Sequence, residues 1–197
     1  MKLNERILLE AEKNGNLITT SKVMELGFSK TMLSKYVANG DLLRVCNGIY
    51  ALPDTVIDDM YVLQLRNDKI IFSHETALFL NGISERTPFT HSFTVPTGYI
   101  LSESMKNNTI HFYIKSELFE LGLCVHKTTF GNPVRCYNPE RTICDMLRSR
   151  SRMDEETVIS SIKKYAGSKE KDLFLLYEYA KQLKVLAQVK RYMEVLI

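Results

Sequence analysis

ITTSKVMELGFSKTMLSKYVANGDLLRVCNGIYAL, residues 18–52, reads as a helix-turn-helix followed by a β-hairpin. Thr19, Thr20 and Ser21 are all residue types that cap a helix, and Val23, Met24 and Leu26 give that short helix its apolar side. Gly27 then accepts the left-handed conformation that ends it. Two residues on, Ser29 is the expected N-cap of a third helix, SKTMLSKYVANG, which Asn39-Gly40 stops. Upstream, Ile7, Leu8 and Ala11 recur at helical spacing from Glu5 to Lys13, and Asn14-Gly15-Asn16 closes that first helix.

At about 100° per residue, Lys30, Thr31, Ser34, Lys35 and Ala38 share one arc of roughly 140° on the third helix. Met32, Leu33, Tyr36 and Val37 occupy the opposite arc. A face of short hydroxyls and lysines suits a DNA major groove: small side chains allow close approach, hydroxyls bond base edges or phosphates, and lysines neutralise phosphate. The same pattern also suits the solvated side of any amphipathic helix, and the next segment of the chain tips the balance. LLRVCNGIYAL is two short β-branched and aromatic runs around Asn47-Gly48, the pair favoured in a two-residue type I′ hairpin turn. A hairpin directly after a recognition helix is a wing. Arg44 at its base suits a phosphate contact, while Asn47 at its tip makes the turn.

Beyond the wing, Pro53-Asp54 marks a boundary, giving a domain over 1–53 and a second over 54–197, with Val56, Ile57, Met60, Leu63 and Leu65 on a connecting helix. IIFSHETALFLNGIS is expected to be a strand running into a helix that stops at Asn81-Gly82, and HSFTVP, TIHFYI, LCVHKT and VRCY read as strands. Asn138-Pro139-Glu140 combines an N-cap, a first-turn proline and an acid at the positive end of a helix dipole. Asp154 opens the next helix, which Gly167 closes, and Ser168 opens another carrying Leu173, Leu176, Ala180 and Leu183. Apolar spacing continues through Leu186, Val189, Met193 and Leu196. The expected fold class is therefore mixed α/β (α+β), an N-terminal winged helix-turn-helix followed by a sheet-and-helix domain that ends in a helical array.

The chain has 197 residues, 45% apolar and 25% charged, the composition of an ordinary folded protein. No stretch approaches the roughly 20 apolar residues of a membrane span, and MKLNERILLE lacks the apolar centre of a signal peptide, so a cytoplasmic location is expected. The net charge of +3 is too mild to identify a nucleic-acid partner by itself. Basic residues outnumber acidic ones seven to five in 1–52 and twelve to eight in 141–197, whereas the middle, 53–140, is acidic at seven to ten.

The pattern offers little for catalysis. His74-Glu75 begins like the zinc-protease motif, but Leu78 stands where the second histidine is needed. Cys46, Cys124, Cys136 and Cys144 never form a C-x-x-C pair, which argues against a zinc site and a disulfide framework. His74, His91, His111 and His126 do not pair at ligand spacing and read as structural or surface groups. There is no glycine-rich phosphate loop and no G-x-S-x-G, so no catalytic residue, metal or cofactor is expected. Arg148, Arg150 and Arg152, with Arg141 two turns earlier, concentrate four guanidinium groups that suit a phosphate or an acidic partner. Such basic loops are also commonly just solvated. Phe93, Phe112 and Tyr113 suit core packing better than base stacking.

Residues 18–52, FSHETALFLNGIS and NPERTICDML, in this order and at this length, resemble the AbiEi family of antitoxins from bacterial abortive-infection operons. The resemblance covers nearly the whole chain and implies a two-part protein. Its N-terminal domain would repress the operon promoter by binding inverted repeats in double-stranded DNA, with Ser29, Lys30, Thr31, Ser34, Lys35, Arg44 and Asn47 on the recognition helix and wing. Its C-terminal domain, 54–197, would counter a nucleotidyltransferase-like toxin in a type IV toxin-antitoxin system of phage defence, an arrangement in which the antitoxin need not touch the toxin. Two-fold pairing or cooperative binding of monomers on DNA would each satisfy inverted repeats. Two other classes stay open: a nucleic-acid-processing enzyme targeted by the winged helix, and a ligand-responsive transcriptional regulator.

Overall fold

The computed structural model describes residues 3–196, which form two compact units. One runs through Asp68 and takes in Lys127–Val134; the other comprises Lys69–His126 and the chain from Arg135 onward.

In the first unit, α1 (Glu5–Lys13) begins where Asn4 accepts the Arg6 N–H at 3.0 Å, and it buries Ile7 and Ala11. Then come β1 (Leu17–Thr19), α2 (Thr20–Glu25), α3 (Lys30–Ala38), β2 (Leu43–Cys46) and β3 (Ile49–Ala51). The expected caps are made: Thr19 accepts the Lys22 N–H at 3.2 Å and Ser29 the Met32 N–H at 3.3 Å. Gly27, at φ +89°, turns the chain between α2 and α3. Ile7, Ala11, Ile18, Val23, Leu33, Tyr36 and Leu42 form one core.

The wing differs from its sequence reading in two respects. It has a third strand: β1 pairs antiparallel with β3, giving the order β1-β3-β2. The turn is also not type I′, because that type needs positive φ at both central residues and only Gly48 has it, at +80°. The twist is taken up instead by a bulge on β2, where the register passes from Arg44 opposite Tyr50 to Cys46 opposite Ile49.

Residues beyond the wing stay with this unit. Helix α4 (Asp59–Arg66) is capped by Asp58, whose Oδ1 accepts the Tyr61 N–H at 3.2 Å. Its Oδ2 accepts the Thr128 hydroxyl at 2.5 Å and the Asn132 amide at 2.8 Å. A buried carboxylate must be fully hydrogen-bonded, and these donors come from a hairpin about seventy residues downstream.

The second unit contains β4 (Ile71–Phe72), α5 (His74–Leu80), β5 (His91–Pro96), α6 (Glu103–Lys106), β6 (Thr109–Ile114) and most of β7 (Leu123–Lys127) and β8 (Pro133–Tyr137), apart from Lys127, Pro133 and Val134. Their sheet has the order β6-β5-β4-β8-β7. Central β4 runs antiparallel to β5 and parallel to β8, and its Ile71 and Phe72 are wholly buried, so the run IIF has no polar alternation. Strands β5 and β6 are parallel over six pairs, from His91–Thr109 to Pro96–Ile114, with α6 in the crossover.

The helical array is α7 (Pro139–Arg148), α8 (Glu155–Gly167), α9 (Leu173–Gln182) and α10 (Leu186–Leu196). Asn138 caps α7 and Asp154 caps α8. Ser168 instead lies at the C-terminal end of α8, and Asp172 caps α9, accepting the Leu175 N–H at 2.9 Å. A capping side chain works only next to the first turn, and Ser168 is too far upstream. Helix α7 lies at the centre, with every residue from Glu140 to Leu147 buried. Its polar residues must therefore find partners inside: Glu140 accepts from the Tyr165 hydroxyl at 3.0 Å and the Asp172 N–H at 3.2 Å.

Candidate nucleic-acid interface

Helix α3 presents Lys30, Thr31, Ser34, Lys35 and Ala38 to solvent, while Leu33 and Tyr36 on its other side enter the core. Among the described residues, neither Lys30 nor Lys35 is paired with a carboxylate. Lys22 on α2 provides the contrast, since it is held by Glu25 at 3.2 Å and Glu10 at 3.7 Å. Ser29 is exposed but its hydroxyl serves as the cap, and the Ser34 hydroxyl donates back to the Lys30 carbonyl at 3.4 Å. On the wing, Arg44 and Asn47 are both exposed, and the Arg44 guanidinium donates to the Asn47 Oδ1 at 3.3 Å. The exposed cations of α3 and of the hairpin β2–β3 are thus Lys30, Lys35 and Arg44.

Arg141, Arg148, Arg150 and Arg152 do not form one solvent-facing patch. Arg141 is wholly buried and cannot meet a partner from solvent. Its Nε donates to Asp145 Oδ2 at 2.9 Å, its Nη1 to the Leu118 and Leu121 carbonyls at 2.9 Å each, and its guanidinium stacks on Tyr137 at 4.2 Å. A charged side chain here is structural, because α7 has no solvent face. Arg148 and Arg152 both reach β6, at the sheet's edge: Arg148 donates to the Tyr113 carbonyl at 3.1 Å and Arg152 to the His111 carbonyl at 3.4 Å. Such contacts occupy backbone acceptors that an edge strand leaves open. Arg150 is tied to Glu155 instead. Three guanidinium groups remain accessible in part, and all are already hydrogen-bonded.

Residues 5–53 match the family model described as "Transcriptional regulator, AbiEi antitoxin". The matched AbiEi segment runs from α1 through the wing. The chain is also similar in fold to a protein of known crystal structure, the RV2827C protein from Mycobacterium tuberculosis, with a TM-score of 0.53 at 11% identity over 96% of this chain and 80% of the other. At that identity the likeness is one of fold alone. No curated protein matches the chain. Among the described residues, no helix is long and apolar enough to cross a membrane.

Outside the matched segment, folding assembles two constellations whose full membership no short stretch of sequence contains. The first surrounds His74, the opening residue of α5, whose φ is +50°. Its ring stacks on Phe112 with centroids 3.4 Å apart, Nδ1 lies 2.9 Å from the Ser73 hydroxyl and Nε2 lies 2.9 Å from the Ser149 hydroxyl. Arg152 also lies over the Phe112 ring, 4.4 Å from its centre. Beneath it, Ser73, Thr76, Ser92 and Thr94 form a buried hydroxyl network; the Thr94 hydroxyl donates to Ser73 at 2.9 Å, for example. Strain at a non-glycine residue persists only where surroundings over-determine it, and the stack and two hydrogen bonds do so here.

Burial, reinforced by Arg148, Arg141 and Arg152, holds His74 well below the usual histidine range, so the ring is neutral. The unfolded chain takes up this proton near pH 6.5 and the folded one does not. Stability is therefore retained in full above pH 6.5 and falls as pH drops below it, by about 1.4 kcal/mol per unit until the folded group also protonates. Denaturant midpoints between pH 8 and 5 should show this slope in the wild type and a reduced one in His74→Gln. Equal slopes would assign the acid sensitivity elsewhere.

The second constellation is Cys124, His126 and Cys136, whose ligand-type atoms all lie within 4.8 Å of one another. The two sulfurs are 3.5 Å apart, and the Cys124 thiol also donates to the Cys136 carbonyl at 3.3 Å. C-x-H on a strand places both side chains on one face, a signal readable in LCVHK. The third member becomes visible only through the sheet.

Proposed function

We propose that this protein is an antitoxin that represses its own operon. Helix α3 enters the major groove with Lys30, Thr31, Ser34 and Lys35, Ser29 marks the helix start beside the phosphates, and the wing lays Arg44 along the backbone with Asn47 at its tip. The observation that carries this reading is the pair of carboxylate-free lysines on the exposed face of α3, within the segment that matches AbiEi antitoxin regulators. A surface lysine without an acidic neighbour keeps its full charge for phosphate.

In this reading residues 1–53 bind inverted repeats in the promoter, as a two-fold pair or as monomers that cooperate on DNA. Residues 54–197 neutralise a nucleotidyltransferase-like toxin of a type IV, phage-defence system in the cytoplasm. The chain acts by binding and is no enzyme. Arg148, Arg150 and Arg152 supply the accessible cations of the second part; Arg141 is set aside because it lies in the core.

Two full-length variants test the division. Lys30→Ala/Lys35→Ala should release a promoter reporter yet still permit growth beside the operon's toxin. Arg148→Gln/Arg150→Gln/Arg152→Gln should keep the reporter repressed and lose protection. A lysine variant that represses normally, or an arginine variant that protects fully, contradicts the corresponding assignment.

A further inference from the structure

We propose that Cys124, His126 and Cys136 form a binding site for zinc, on the edge strand β7 and its neighbour β8 in the second unit's sheet. Cys124 and His126 are alternate residues of β7 and so share a face; Cys136 meets them from β8, next to β7 in the sheet. Tetrahedral zinc with Zn–S of about 2.3 Å holds two sulfurs about 3.8 Å apart and a sulfur and a nitrogen about 3.6 Å apart. The observed sulfur separation of 3.5 Å is within a few tenths of an ångström of that spacing. His126 is already within 4.8 Å of both sulfurs, so modest side-chain rotation closes the triangle.

The chemistry of the donors selects the ion. Two thiolates and an imidazole form a soft-to-borderline set that suits zinc and disfavours calcium or magnesium, which take oxygen ligands. Binding displaces a proton from each thiol to solvent, and neutral imidazole contributes its lone pair. Cys136 is wholly buried, whereas Cys124 and His126 are half-buried, so the fourth position faces the accessible side and is filled by water. Ordinary packing accounts for one buried thiol. It does not account for a second thiol and an imidazole converging on it from the neighbouring strand. A disulfide between the two cysteines would leave His126 without a part.

Full-length, reduced protein titrated with cobalt(II) should bind one equivalent, giving a sulfur-to-metal charge-transfer band and tetrahedral d–d bands that zinc abolishes by displacement. Chelator competition should then show zinc affinity reduced by about tenfold or more in Cys124→Ser, His126→Gln and Cys136→Ser, and unchanged in Cys46→Ser and Cys144→Ser. His126 is half-buried, so His126→Gln leaves the fold intact and keeps the test decisive if a cysteine variant misfolds. Absence of the charge-transfer band, or undiminished zinc affinity in His126→Gln, overturns the proposal.

Discussion

Replacing Arg141 by methionine is expected to cost about 3–5 kcal/mol of stability in the second unit. Methionine has nearly the reach of arginine and retains contact with Tyr137, so the loss reports the charge more than the volume. Without the guanidinium, the Asp145 carboxylate is left buried, and the Leu118 and Leu121 carbonyls each lose a donor. Burial already pushes the Asp145 carboxyl up against the opposing pull of Arg141 and Arg148. Once Arg141 is gone it rises further, so the variant's deficit should be largest near neutral pH and shrink as acid neutralises Asp145. Arg141 also helps to hold His74 low, so its loss eases the acid sensitivity of His74 and moves the difference in the same direction. Urea midpoints of wild type and Arg141→Met at pH 7.5 and pH 5 measure this. Adding Asp145→Leu should restore part of the loss, because an apolar pair can replace a buried ion pair. A deficit under about 1 kcal/mol, or one that grows in acid, would mean that the pair is not what holds α7 in place.

Arg141 also illustrates where the sequence is legible and where it is not. Helices α1 and α3 are readable because local signals agree: apolar spacing, an Asn or Ser cap, and a glycine or asparagine stop all point to the same boundaries. The same holds for α7 at its N-terminus, where Asn138 caps the helix as its type suggests. Reading Arg141 as part of a basic surface fails because polarity implies solvent only for a helix at the periphery, and α7 is enclosed by α8, α9 and α10. Nothing local announces that enclosure. Strand β1 is hidden for a related reason. Three residues are too few to alternate, and Leu17–Thr19 is extended because β3 pairs with it from thirty or more positions away.

Long-range partners also explain the other omissions. The attachment of Lys127–Val134 to the first unit depends on Asp58 meeting Thr128 and Asn132, a contact that no short window contains. The candidate metal ligands require β7 and β8 to be neighbours before C-x-H gains its third member. For the proposed DNA surface the reverse is true. Lys30, Thr31, Ser34 and Lys35 lie within one helix, so helical geometry alone places them on a common face, and the structure leaves all four exposed.

Removing the two lysines of that surface should weaken DNA binding strongly. A lysine that neutralises one phosphate contributes about 0.9 to the slope of log K against log salt. Relative to 1 M salt, where the contribution vanishes, this amounts to about fivefold in affinity at 0.15 M and about thirtyfold for two lysines. Loss of Lys30 and Lys35 should leave the fold intact, because neither enters the core and neither pairs with a carboxylate among the described residues. Weakening should be similar on operator and unrelated duplexes, since phosphate contacts do not read sequence. Ser34→Ala, by contrast, should reduce discrimination between them with little change in slope, if its hydroxyl leaves the Lys30 carbonyl for a base edge.

The most direct measurement is the affinity of the full-length protein for a duplex of its own promoter, determined at a series of salt concentrations for wild type and Lys30→Ala/Lys35→Ala. In the double variant the slope should be shallower by about 2 and the affinity about thirtyfold lower at 0.15 M. Equal slopes and equal affinities for the two proteins would contradict the DNA-binding role of α3.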